Sequence, residues 1–162
     1  MNGGGNVSPM ILERLSQEVY RRSMSRYGRV SNVPDNAFYG PMVCLLDKYS
    51  SSDGDLFPYG FRKLGLGKLI GMRSWGGIVG INGSRRYLDG QNMTVPMFTS
   101  YSTEGEWIIE GHGVDPDIVV DINPFDDYQG KDAQIEAAVE ELLKELKDWK
   151  ELPGVPKPPV KN

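Results

Sequence analysis

The sequence predicts an α/β fold with a mixed, partly parallel sheet and helices packed against it. Three observations carry that expectation. Pro41 introduces the short apolar run Met42-Val43-Cys44-Leu45-Leu46, a helical segment follows over residues 53–64, and Leu69-Ile70-Gly71-Met72 is a second short apolar run. The alternation of strand, helix and strand points to parallel strands joined by crossover helices.

Met1-Asn2-Gly3-Gly4-Gly5-Asn6 opens the chain as a glycine loop. Ser8-Pro9 then reads as a helix start, with Ser8 as cap and Pro9 at the first helical position. Ile11, Leu12, Leu15 and Val19 give that helix one apolar face. Arg21, Arg22 and Arg26 form a basic cluster on or just after it, read as a solvated helix end. Asn32-Val33-Pro34-Asp35 is a loop by composition.

The run Met42–Leu46 is continuous and apolar, as in a strand buried on both faces. The helix after it ends at Gly65 and Gly67. Residues 73–109 are richer in short strands and turns. Asn82-Gly83 and Asp89-Gly90 are hairpin-type dipeptides, and residues 94–98 and 106–109 read as strands. Residues 132–149 form the clearest element, an amphipathic helix with Ile135, Ala138, Val139, Leu142, Leu143, Leu146 and Trp149 on one face. Residues 1–150 are thus expected to form one domain. Residues 151–162, with Pro153, Pro156, Pro158 and Pro159, are expected to be a flexible tail.

Composition narrows the function classes. A chain of 162 residues can bury a real core. Its net charge of −4 argues against a sequence-independent grip on nucleic acid, which needs clustered Lys and Arg. Cys44 is a single cysteine in an apolar run, so it supplies no internal disulfide and reads as a core thiol. With one histidine, His112, and no Cys or His pair at ligand spacing, a structural zinc site is not expected, nor any other cofactor. No run is long enough for a membrane span, the first residues do not read as a signal peptide, and the compartment stays open.

Several segments carry possible chemistry. Gly65-x-Gly67-Lys68 fails as a phosphate loop because Arg62 and Leu69 stand where a glycine and a hydroxyl are needed. Asp115-Pro116-Asp117 with Asp121 misses the calcium-loop spacing. In Tyr49-Ser50-Ser51-Ser52-Asp53-Gly54-Asp55, Ser52 falls at a helix start, close to unpaired N–H groups and the positive end of the dipole. A nucleophile whose oxyanion must be held would suit that place. So would an ordinary N-cap with Asp55 completing a capping box, and on local chemistry alone the cap is the commoner case. Glu110 lies where the chain should leave a strand, in Glu110-Gly111-His112-Gly113-Val114, and is either a site carboxylate or a surface one. His112, in the same glycine turn, reads as a surface residue in preference to a general base.

Six motifs in order carry a family resemblance. They are Asn2-Gly3-Gly4-Gly5, the Tyr49 to Asp55 segment, Phe57-Pro58, Gly65-Leu66-Gly67, Trp75-Gly76-Gly77-Ile78-Val79-Gly80, and Glu110-Gly111-His112-Gly113-Val114-Asp115-Pro116-Asp117. Together they resemble the catalytic core of the tricorn-type branch of the C-terminal-processing serine peptidases, from residue 2 to about residue 146. The resemblance implies a crotonase/ClpP-like spiral core, incomplete at its N-terminus, and serine endopeptidase chemistry on unfolded peptides. It places Ser52 as nucleophile and Glu110 as the carboxylate that orients the base through an intervening hydroxyl. It assigns oxyanion-hole N–H groups to Asp53 and to the glycine loop, at Gly5 in preference to Gly4.

Departures from the family pattern shape the expectation. The family's catalytic histidine and intervening serine lie upstream, in a part not represented in this chain, and the pattern gives His112 no role. An acidic group sets the branch's preference for basic residues, but residues 21–26 contain none. The expected partners are therefore a peptide or unfolded polypeptide substrate and an upstream part of the same protein, with a homo-oligomer possible. A non-catalytic peptide-binding module of the same fold, taking its ligand by strand addition, is the alternative. A crotonase-like acyl-CoA enzyme ranks below both.

Overall fold

The computed structural model describes residues 3–158 and 160, and of residues 82–86 the backbone alone. Met1, Asn2, Pro159, Lys161 and Asn162, at the outer ends of the glycine loop and the tail, lie outside the described residues. The elements run α1 (Ser8–Leu15), β1 (Arg21–Met24), β2 (Val30–Val33), β3 (Met42–Leu46), α2 (Asp53–Lys63), β4 (Gly67–Gly71), β5 (Gly80–Arg86), β6 (Asn92–Phe98), β7 (Ile118–Val119), α3 (Pro124–Tyr128) and α4 (Ala133–Glu145). No described helix is long and apolar enough to cross a membrane.

The expected parallel pair forms, with α2 as its crossover. Met42 pairs with Gly67 and Leu46 with Gly71, and β7 adds on the far side of β4 through Ile70 and Ile118. The sheet is thus parallel throughout, in the order β3-β4-β7, while the antiparallel pairs β1–β2 and β5–β6 are separate hairpins. Leu12 of α1, Phe61 of α2, Cys44 and Leu46 of β3 and Leu69 of β4 meet Ile78, Ile109 and Val114 in one apolar cluster. The cluster therefore draws on the same loops that build the site.

Several local expectations are corrected. Strand β3 is not buried on both faces: it is an edge strand, and Leu45 keeps 41% of its surface exposed. Helix α1 stops at Leu15, and Arg21 and Arg22 belong to β1. The Tyr20 N–H bonds to the Val33 carbonyl and draws the chain into the hairpin. Asn82-Gly83 falls inside β5, where the register shifts between Ile81 and Ser84 as in a bulge. The turn is made at Asp89-Gly90, where Tyr87 and Gln91 close the hairpin. Residues 106–109 do not form a strand, only a single bridge from Trp107 to Tyr101, whose rings meet edge-on at 6.1 Å. In the tail, the Pro153 carbonyl accepts from Arg22 at 2.7 Å, which brings it against β1.

Helix starts show how polar residues were reassigned. Asp132, expected as the first residue of a helix over 132–149, instead caps α4, which ends at Glu145; it accepts from the Gln134 and Ile135 N–H groups at 2.9 and 3.0 Å. Ser8 does not cap α1, whose cap position falls on Val7. The Asp53 carboxylate does that work from another helix, accepting from the Val7 N–H at 3.0 Å, the Ser8 N–H at 3.1 Å and the Ser8 hydroxyl. Asp55 makes no capping box. It is 0% exposed and accepts from the Gly76 and Gly77 N–H groups at 2.9 and 3.2 Å. A carboxylate that far from water is tolerated only when its lone pairs are matched, and these two amides match it.

Two outcomes follow from this packing. Asp55→Ala leaves two buried N–H groups without an acceptor and should cost about 3 kcal/mol; urea unfolding checks this, and a loss below about 1 kcal/mol would show that the contact is dispensable. Cys44 is buried, and desolvation pushes its thiol up to about 12. At neutral pH it should react with iodoacetamide on the order of 10³-fold more slowly than free cysteine, and at the free rate once unfolded in urea.

Candidate active site

Ser52 stands between β3 and α2, and its backbone is the first anomaly of the site. It has φ 55 and ψ −115, and its hydroxyl makes no capping bond. The Gly54 N–H bonds to the Ser51 carbonyl at 2.8 Å and closes a tight turn around Ser52-Asp53. These angles belong to the first central position of a type II′ turn, normally occupied by glycine. A serine there stores on the order of 1–3 kcal/mol of strain. Ser52 thus occupies the cap position without capping, and its hydroxyl is left for other work.

The glycine loop lies against that hydroxyl. A Cβ built on Gly4, whose φ is +117, would sit 3.2 Å from the Ser52 Cβ and 3.5 Å from its Oγ. Only a residue without a side chain lets the loop come this close. At Gly5 the same construction reaches the Asp53 Oδ2 at 4.0 Å. The structure thus puts Gly4 against Ser52 and Gly5 near the Asp53 side chain, and among the described residues neither the Gly5 nor the Asp53 N–H has a protein partner. Two free N–H groups flanking a hydroxyl can bind an oxyanion formed on that hydroxyl's target.

Residues 74–79 join Ser52 to Glu110. On one side the Trp75 N–H bonds to the Ser50 carbonyl at 2.8 Å, and the Gly77 carbonyl accepts from the Ser52 N–H at 3.0 Å. On the other, the Ser74 N–H donates to the Val114 carbonyl at 3.1 Å while the Ser74 hydroxyl accepts from the Val114 N–H at 2.8 Å, and the Gly76 carbonyl accepts from the Gly111 N–H at 2.7 Å. The Glu110 Oε2 completes that side, accepting from the Ile78 and Val79 N–H groups at 2.7 and 2.9 Å. The segment is no regular strand, yet it bonds to neighbours on both sides. Gly76 has φ +86, and a Cβ on it would meet the Gly113 nitrogen at 2.4 Å, so this approach too requires glycine.

Glu110 itself is exposed and leaves no regular strand, which corrects the expected setting. Its orientation comes from a strained turn instead. Ile109 has φ 67, and the Glu110 N–H closes back on the Ile108 carbonyl at 2.6 Å. That is the rarer form of the three-residue turn, unusual for a β-branched residue. Ser52 and Ile109 are the non-glycine residues of positive φ among those described. One is a candidate residue and the other immediately precedes one.

The remaining candidates are engaged elsewhere. His112 Nε2 bonds to the Asp115 carboxylate at 2.8 Å, and Arg73 Nε pairs with the same carboxylate at 2.6 Å. These contacts, His112 first and then Arg73, hold the Asp115 carboxyl below its ordinary range. Asp117 pairs with Arg62 at 2.9 Å and takes the Leu69 N–H at 2.7 Å. Among the described residues no cluster of three or more His, Cys, Asp or Glu side chains could hold a metal. Sequence reasoning missed the carboxylates of Asp53 and Asp55 and the amides of Ile78 and Val79. Its one available signal was the Asp-Gly-Asp following Ser52, which a capping box explains equally well.

Known proteins share this arrangement. Residues 1–120 match the model of peptidase family S41. The tricorn protease of Thermoplasma acidophilum is 43% identical over 156 residues, which are 96% of this chain and 15% of that protein. Tricorn protease homolog 1 of Streptomyces coelicolor is 34% identical over 91% of this chain and 14% of its own length. The crystal structure of the tricorn protease superposes with a TM-score of 0.83 at 42% identity, covering 90% of this chain and 14% of that one. The chain thus spans about one-seventh of the relatives it matches. The crystal structure of a CPAF mutant superposes with a TM-score of 0.58 at 15% identity, a likeness of fold alone. A match running from the glycine loop through Ser52 to Glu110, at this identity and in this order, places the chain in peptidase family S41, on its tricorn-type branch of serine peptidases.

Proposed function

We propose that this chain is the C-terminal part of a serine endopeptidase core of the crotonase/ClpP-like spiral type, with Ser52 as its nucleophile. One observation carries the reading: a strained serine at the start of α2 whose hydroxyl caps nothing and abuts the glycine loop, with the N–H groups of Gly5 in that loop and of Asp53 in the helix unpartnered among the described residues. The Ser52 oxygen attacks the peptide carbonyl carbon and gives its proton to a histidine from an upstream segment of the same protein. The Gly5 and Asp53 N–H groups hold the oxyanion. The C–N bond then breaks, the histidine returns the proton to the leaving amine, and water hydrolyses the acyl-enzyme. One Glu110 oxygen holds two backbone amides, and the other remains to accept from the hydroxyl that steadies the base. The substrate class is an extended peptide or unfolded polypeptide.

The edge of β3 supports a place for the upstream part. Leu15, Phe38, Val43, Leu45, Phe57 and Leu142 line an open apolar groove of about 460 Å³ along it. An unpaired edge beside apolar side chains is a template for another strand. The same edge favours the alternative of a peptide-binding module that takes its ligand by strand addition. Turnover separates the two.

In the protein assembled with its upstream segment, Ser52→Ala should abolish peptide hydrolysis, with a loss on the order of 10⁶ in kcat. Glu110→Gln should lower kcat less, with peptide affinity unchanged, because an orienting group counts for less than the nucleophile. Near-normal turnover by the alanine variant, with circular dichroism showing both proteins folded, would leave Ser52 a structural residue. The chain alone should be silent, since a serine hydroxyl without a base is a weak nucleophile. A fluorophosphonate probe should label Ser52 only after the upstream segment is added. Labelling of the chain alone that disappears in His112→Ala would make His112 the base instead.

A further inference from the structure

We infer that the carboxylate of Asp53 is the positioning group of the oxyanion hole, setting the distance between the glycine loop and Ser52. The inference rests on the peptidase reading above. Residue 53 is expected to act on the oxyanion through its backbone N–H, yet its side chain is also committed. It is 1% exposed, and three donors converge on it: the Val7 N–H, the Ser8 N–H and the Ser8 hydroxyl, from 45 and 46 positions earlier in the sequence. Those donors follow directly on Gly5 and Asn6.

A glycine-rich loop loses more backbone freedom on ordering than any other, so it does not hold a position unaided. Two residues of chain span at most about 7 Å, and pinning Val7 therefore confines Gly5 to a small volume beside Asp53. The closeness of the Gly5 backbone to the Asp53 Oδ2 agrees with that confinement. Both oxyanion donors are then referenced to one residue: the first is its own N–H, and the second is tied to its side chain. Catalytic hydrogen bonds need placement within roughly 0.5 Å, a tolerance that a free glycine loop does not meet. A negative charge so near an oxyanion would ordinarily oppose it. Here the carboxylate faces the N-terminus of α1, whose donors and dipole offset the charge.

The test uses the peptidase assembled with its upstream segment. Asp53→Ala keeps the residue-53 N–H but cuts the ties, and kcat should fall on the order of 10²-fold, the scale of a lost oxyanion donor. KM should stay within about twofold. Affinity for a peptide aldehyde, which forms a tetrahedral adduct on Ser52, should fall in parallel with kcat. Asp53→Asn, whose amide oxygen can still accept from Val7 and Ser8, should restore most of the loss. A kcat within about threefold of wild type in the alanine variant, or an asparagine variant no better than alanine, overturns the inference. If the alanine variant does not fold, Ser8→Ala decides: it keeps both backbone ties and loses one, so kcat should drop several-fold at constant KM, and an unchanged kcat overturns the inference. Amide exchange at Val7 and Ser8 gives a readout without catalysis. Exchange that is no faster in Asp53→Ala refutes the tie itself. Absence of fluorophosphonate labelling in the assembled wild type refutes the peptidase reading, leaving the exchange result to judge the tie.

Discussion

The bond on which the site most depends joins the buried Asp55 carboxylate to the Gly76 and Gly77 amides. It locks the first turn of α2 to residues 74–79, and that segment in turn holds Ser52 on one side and Glu110 on the other. The interaction is strong for the reason that makes it costly to lose. A carboxylate removed from water has nowhere to turn except to the donors aimed at it. The glycines at 76 and 77 give it bare amides, and at 76 the lack of a side chain also lets the 110–114 turn close in. Ser52 and Glu110 are thus placed by hydrogen bonds to one shared segment. Neither depends on direct contact with the other.

That framework also explains where strain is tolerated. Ser52 and Ile109 hold backbone angles that their side chains disfavour, and both sit one bond from the 74–79 segment or its neighbour. Strain of this kind persists only where surrounding contacts over-determine the conformation. The Ser52 N–H is held by Gly77, and Ile109 is buried in the apolar cluster while its carbonyl accepts from His112 and Gly113. Relaxing either residue would break those bonds, so the strain remains and the side chains stay pre-aimed.

Much of this was legible in the sequence where periodicity or local chemistry is decisive. Strand β3, helix α2, helix α4 and the place of Ser52 at a helix start follow from apolar runs, helical periodicity and glycine stops. What escaped was long-range pairing. Ser8, Asp53 and Asp55 have the residue types of local caps, and nothing within four positions of them shows that their partners lie 21 to 46 residues away. The exposed edge of β3 was hidden for a similar reason: Met42–Leu46 has the composition of a central strand, and only the sheet order shows that it has a single neighbour among the described strands. Asn82-Gly83 shows the converse, a strong turn signal absorbed as a bulge once Asp89-Gly90 had made the reversal.

The spread of the site along the chain has a consequence for biosynthesis. Its parts come from the glycine loop, the start of α2, residues 74–79 and the 110–114 turn, so its contacts are dominated by large sequence separations. Such contacts form late, after the entropy of closing long loops has been met. While the ribosome is still making the middle of the chain, Ser52 has neither its Gly77 anchor nor the Glu110 turn, and nothing enforces its strained backbone. A nascent polypeptide with this layout carries Ser52, the proposed nucleophile, without the contacts that aim it. Order of synthesis alone thus delays assembly of the proposed site until residues 110–114 have been made.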